Sequence, residues 1–162
     1  MSSFLDTMLE RAKADKQTIV LPEGDDPRTL EAAETILAQG VANLIILGNV
    51  AAIKESGRKL DGATLIDPQD SDLHDEFANT LYELRKHKGI TLEQAAEKVR
   101  DVLFFGVLMV KTGRADGMVS GACHSTGDVL RPSLQILKTA PGVKLVSSFF
   151  IMVVPNCEYG QN

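Results

Sequence analysis

Four short apolar runs in this chain lack the alternation expected of a half-exposed strand: residues 17–21 (QTIVL), 43–47 (NLIIL), 64–66 (TLI) and 117–120 (GMVS). A strand that is apolar on both faces needs cover on both faces. Between these runs lie segments with helical spacing. Leu5, Met8, Leu9 and Ala12 share one helical face, and Leu30, Ala33, Ile36 and Leu37 share another. The second of these helices has Asp26 as its cap, Pro27 at its first position and Gly40 at its stop. Further helices are expected at 50–56, 71–86, 92–100 and 102–112, and from the loop 121–126 onward to Lys138. Thr91 followed by Gln94 marks a capping box at the start of the 92–100 helix. Strands alternating with helices predict an α/β fold of three layers, α/β/α, around a mostly parallel sheet.

The length of 162 residues fits about one domain. The end of the chain departs from the pattern. After a break at 139–142 the sequence turns strand-like over 143–154, and SSFFIMVV at 147–154 reads as one more buried strand. Too few residues follow it to build the crossover that a parallel neighbour requires. It either pairs into the existing sheet or opens a second domain. We expect the second, with a first domain at 1–142 and an incomplete one at 143–162. Left uncovered, such a strand invites association.

Charge and composition narrow the function. With 17 Lys and Arg against 22 Asp and Glu, the net charge of −5 lacks the basic footprint of a nucleic-acid or anionic-membrane binder. Any bound anion must be held by a local cluster. There is no tryptophan, and aromatics are 5%, which argues against stacking platforms for single strands. The longest apolar stretches, 102–110 and 149–154, are too short to span a bilayer, and the first residues lack the pattern of a secretory signal. A reducing cytoplasmic setting is expected. Cys123 and Cys157 form neither a disulfide framework nor a zinc spacing; of His74, His87, His124 and Cys123 only the adjacent Cys123 and His124 are close, and adjacent residues rarely chelate one ion together, so no metal site is expected.

The densest chemistry lies at 116–137. A strand enters a loop carrying Gly117, Gly121 and Gly127, then Ser125, Thr126 and a helix with Arg131 one to two turns on. Loops leaving the carboxyl ends of parallel strands are where α/β proteins bind ligands. Free N–H groups at a helix start, two hydroxyls and a guanidinium suit a phosphate. The plainer reading is a capping box over Ser125–Asp128 with Arg131 solvated. Pro132 either kinks the helix or marks its proper start. The basic run from Arg85 to Lys88 reads as a helix terminus or as a greeting for phosphates. Cys157 is either passive or faces a cleft.

These residues fall into a familiar order. Leu21-Pro22-Glu23-Gly24-Asp25-Asp26-Pro27-Arg28, Asp116-Gly117-Met118-Val119-Ser120-Gly121-Ala122, Ser125-Thr126, Leu130-Arg131-Pro132-Ser133-Leu134-Gln135 and the segment 147–155 together resemble phosphate acetyltransferases over essentially the whole chain. The resemblance implies reversible acetyl transfer between coenzyme A and inorganic phosphate, by direct thiolate attack in a ternary complex. It also implies an isocitrate dehydrogenase-like pair of α/β/α domains and a homodimer, with coenzyme A and acetyl phosphate as substrates and no cofactor. By position it puts active-site arginines at Arg131 and Arg85, substrate-contacting hydroxyls at Ser125 and Thr126, and a cysteine near the site at Cys157. Family members are about twice this length, and their thiol-activating residues lie in the half without a counterpart here. A non-catalytic domain sensing acyl phosphate or coenzyme A, and a phosphate butyryltransferase, are the alternative readings.

Overall fold

The computed structural model describes residues 4–154 and residue 159. Its elements run α1 (Phe4–Ala14), β1 (Thr18–Leu21), α2 (Pro27–Gln39), β2 (Asn43–Leu47), α3 (Val50–Glu55), β3 (Thr64–Ile66), α4 (His74–Arg85), α5 (Leu92–Val99), α6 (Val102–Lys111), β4 (Gly117–Met118) and α7 (Thr126–Ile136). A 3-10 turn at Lys86–Lys88 follows α4. The strands form one sheet in the order β3-β2-β1-β4, and every pairing is parallel.

Both faces of the sheet are covered, as the continuous apolar runs require. Alternate strand residues feed two separate cores. Val20, Ile45 and Leu47 pack with Phe77, Leu81, Phe105, Leu108 and Ile136 of α4, α6 and α7. Leu21, Leu44 and Ile46 pack with Leu30, Ala33 and Ile53 of α2 and α3. In the first core the rings of Phe77 and Phe105 meet edge to face at 4.8 Å. Helix α6 comes close enough to the sheet that a Cβ on Gly106 would stand 2.8 Å from Met118 Sδ and 3.2 Å from Val20 Cγ1. Glycine there lets the most apolar helix settle directly on the central strand.

Caps set the boundaries of the helices. Asp26 accepts from the Arg28 N–H, Thr91 and Gln94 form the expected reciprocal pair, and Asp101 accepts from the Leu103 and Phe104 N–H groups. Pro132 lies inside α7 and is buried. The Ser133 hydroxyl donates to the Val129 carbonyl, which adds a side-chain hydrogen bond to the turn that holds the proline.

Two expectations need revision. The strand at 117–120 shortens to Gly117–Met118, because the chain turns away after the Val119 N–H reaches the Val20 carbonyl. The strand expected over 143–154 is not formed. A strand exists only where a partner supplies its ladder, and no such partner faces this segment among the described residues. Its side chains stand in the open: Phe149 is 83% and Phe150 91% exposed. We predict that the 162-residue chain self-associates through this segment. Light scattering should show oligomers, and a chain ending at Gly142 should scatter as a smaller particle. Equal particle mass for the two would refute this.

Candidate functional site

The carboxyl ends of β1 and β4 are adjacent because these strands pair, with Ile19 opposite Gly117 and Val20 opposite Met118. Each strand runs into a loop there: Pro22–Asp26 after β1 and Val119–Ser125 after β4. The two loops are locked together by side chains from the first.

Glu23 is only 4% exposed, the one buried charged residue among those described. Its Oε2 accepts from the N–H groups of Gly121 and Ala122, both at 2.8 Å. Its Oε1 accepts from the N–H groups of Cys123 and His124 at 3.0 Å each, and lies 2.8 Å from His124 Nδ1. Four successive amides thus form a cradle for an anion, and the protein fills it with its own carboxylate. Burial pushes the Glu23 carboxyl upward, but the amides of Cys123 and Ala122, His124 and the amide of Gly121 together hold it far below the usual carboxylate range. An ionised carboxylate only accepts, so His124 Nδ1 carries the proton of this bond.

Arg28 clamps the same loop from the other side. Its guanidinium donates to both oxygens of Asp26, at 3.0 and 2.6 Å, and to the Ala122 carbonyl. Those bonds from the Arg28 side chain and backbone lower the Asp26 carboxyl to about 2. Gly24 makes this packing possible. Its N–H donates to the Leu47 carbonyl at 2.9 Å, and a Cβ would stand 2.5 Å from that same oxygen. Beside the joined loops a cleft of about 680 Å³ opens on the α2 face, lined by Ile19, Leu21, Ile36, Leu44 and Val119, with Glu23 and Arg28 among the polar residues of its wall.

The held loop delivers the chain into α7. Ser125 caps this helix: its hydroxyl donates to Asp128 Oδ2 at 2.6 Å, and it accepts from the Asp128 N–H. The capping-box reading of Ser125 therefore holds in the structure. The amides of 121–124, in the loop before the helix start, are taken by Glu23. The N–H groups of Thr126 and Gly127 and the Thr126 hydroxyl have no partner among the described residues. Arg131 is two-thirds exposed and makes only a 3.9 Å approach to Asp128 Oδ1. Side chains on a helix lean toward its N-terminus, so this guanidinium leans back toward the cap.

Of the residues singled out in the sequence, Ser125, Thr126 and Arg131 come together in the first two turns of α7. Arg85 lies elsewhere, half-buried at the end of α4, with no ion pair or hydrogen bond among the described residues. Cys157 lies outside the described residues. Glu23 and Arg28, which build the loop, were visible in the sequence only as members of one motif, and His124 only as a weighed metal ligand. An acidic residue right after one strand and a glycine-containing loop right after another was the signal available.

A parallel sheet covered by helices on both faces, with the joined loops and the helix start at its carboxyl edge, defines a doubly covered α/β protein, a class in which ligands bind at that edge. The profile of the phosphate acetyl/butaryl transferase family matches residues 3–161. The chain belongs to that family. It is 55% identical over 162 residues to the phosphate acetyltransferase of Thermoanaerobacterium thermosaccharolyticum, and 56% identical to that of Acetivibrio thermocellus. Each match covers 99% of this chain and 49% of the relative, so the chain spans about half the length of these proteins. Among solved structures, a phosphotransacetylase from Streptococcus pyogenes superposes with a TM-score of 0.84 at 40% identity, covering 90% of this chain and 46% of that one. The EutD phosphotransacetylase from Staphylococcus aureus gives 0.78 at 39% identity, covering 87% and 44%. Among the described residues, no helix is long and apolar enough to cross a membrane.

Proposed function

We propose that this chain supplies the phosphate side of a phosphate acetyltransferase, which moves acetyl between coenzyme A and inorganic phosphate. The open end of α7 carries this reading. Two unpartnered N–H groups, the Thr126 hydroxyl and the loosely held Arg131 converge there, beyond a loop that Glu23 and Arg28 keep rigid. The helix dipole and the guanidinium favour a dianion at that point. Ser125 contributes by fixing the helix end, and its hydroxyl can exchange Asp128 for a phosphate oxygen.

In the transfer, a coenzyme A thiolate attacks the acetyl carbonyl carbon, the bond from that carbon to the bridging phosphate oxygen breaks, and phosphate leaves with the electron pair. Charge grows on the carbonyl oxygen and on the phosphate, where fixed donors lower the barrier. The thiol proton goes to a general base. Arg85, at the end of α4, serves as the second active-site arginine, and Cys157 is near the site without forming an acyl-enzyme. The segment from 143 belongs to a second domain that closes over the site, and the working form is a cytoplasmic homodimer. The names of the relatives favour acetyl over butyryl as the transferred group.

Calorimetry tests this. Replacing Arg131 by Ala should weaken acetyl phosphate binding roughly tenfold or more, the scale of one charge-assisted contact. Binding of coenzyme A should change much less. Equal losses for both ligands would overturn the assignment of this helix end to phosphate.

A further inference from the structure

Beyond acetyl transfer, the β1 and β4 loops bring three metal-ligating side chains to one point. Glu23 Oε1, Cys123 Sγ and His124 Nδ1 are the only such mixed group among the described residues. Sγ lies 3.5 Å from Oε1 and 3.5 Å from Nδ1, while Nδ1 and Oε1 are 2.8 Å apart. A tetrahedral zinc ion with ordinary bond lengths sets its sulfur about 3.5 Å from the oxygen and nitrogen ligands, and oxygen and nitrogen about 3.3 Å apart. Two of the three edges already match, and the third needs a movement of about half an ångström.

We propose that Glu23, Cys123 and His124 form a binding site for zinc or a similar thiophilic divalent cation. Two neighbours in sequence cannot close such a site alone. Glu23, 100 residues before Cys123 (123 − 23 = 100), supplies the third ligand from the adjacent strand end. The carboxylate is held in place by four backbone amides, which is the outer-shell support that ligating carboxylates need. Thiolate and imidazole select zinc and its neighbours over magnesium or calcium. Cys123 is exposed and His124 partly so, which leaves an entry path and a fourth position for water. On binding, the Cys123 thiol proton leaves to solvent. The Nδ1 proton that now bonds Glu23 is replaced by the metal, and Nε2 carries the ring proton, so one proton is released per ion.

Cobalt(II) is the probe, because a thiolate ligand gives it an intense charge-transfer absorption. Titrated into the 162-residue chain, it should produce that band at one ion per chain, and zinc should abolish it. The band should survive Cys157→Ser, vanish in Cys123→Ser and need at least about tenfold more cobalt in His124→Ala. A second measurement uses the unaltered chain: zinc should slow alkylation of Cys123 at least about tenfold, mapped by mass spectrometry. No band with wild type, a band that persists in Cys123→Ser, or unprotected Cys123 would overturn the site.

Discussion

Replacing Glu23 by Ala is expected to cost about 3–5 kcal/mol, the range for removing one partner from a buried charged cluster. Four amides that converge on one carboxylate would be left facing each other without an acceptor. For a chain of this size the midpoint of thermal unfolding should fall by on the order of 10 °C. Glu23→Gln should also lose stability, because its amide NH₂ would oppose backbone N–H groups. Amide exchange at residues 121–124 should quicken in both variants. The pH dependence has a fixed sign. The folded-state carboxyl is depressed, so its contribution is complete above the ordinary carboxylate value of 4.5 and is lost as pH falls below it. The gap between wild type and Glu23→Gln should therefore narrow in acid. An unchanged melting midpoint, or a gap that widens in acid, would refute the cradle.

Gly24→Ala carries the next largest effect. The added Cβ would sit 2.5 Å from the Leu47 carbonyl, 2.8 Å from Ile53 Cδ1 and 2.9 Å from Ile46 Cγ2. The side chains could yield, but Leu47 belongs to a strand paired on both sides. Either β2 shifts or the β1 loop lifts away, and the second outcome moves Glu23 from its cradle. A loss of about 3 kcal/mol is expected, at the upper end for overpacking. The decisive reading is chemical denaturation together with Cys123 reactivity. A stable Gly24→Ala chain with an unaltered thiol would show that the close approach is dispensable.

The sheet was legible because its strands are buried on both sides, and such runs as NLIIL have no other use in a chain of this composition. Helix limits followed from caps at Asp26 and Thr91, whose signals are local, whereas the start of α7 was open between a Ser125 capping box and Pro132. The stretch 143–154 looked like a strand for the same compositional reason, yet its ladder depends on a partner that composition cannot supply. The site divided along the same line. Ser125, Thr126 and Arg131 are neighbours on one helix and were readable from spacing. Glu23 and Arg28 act on a loop that follows β4, and only the parallel pairing of β1 with β4 brings them there. Asp128 as the hydrogen-bond partner of Ser125 was visible as a capping box. The loss of the 121–124 amides to Glu23 was not.

The pairing of β1 with β4 also fixes when the site comes into being. Thr18 pairs with Asn43 across 25 residues (43 − 18), whereas Ile19 pairs with Gly117 across 98 (117 − 19). Closing the longer loop costs about 1.2 kcal/mol more chain entropy. We expect the β1–β2 unit to nucleate early and the Glu23 cradle, which spans the longer loop, to close among the later contacts. Interactions made after the rate-limiting step govern escape from the native state and leave the rate of reaching it unchanged. The stability lost in the Glu23 variants should then appear in the unfolding arm of a chevron plot, with the folding arm little moved. A carboxylate that finishes the fold is in this sense a kinetic latch: it sets how long the loop beside the open end of α7 stays formed.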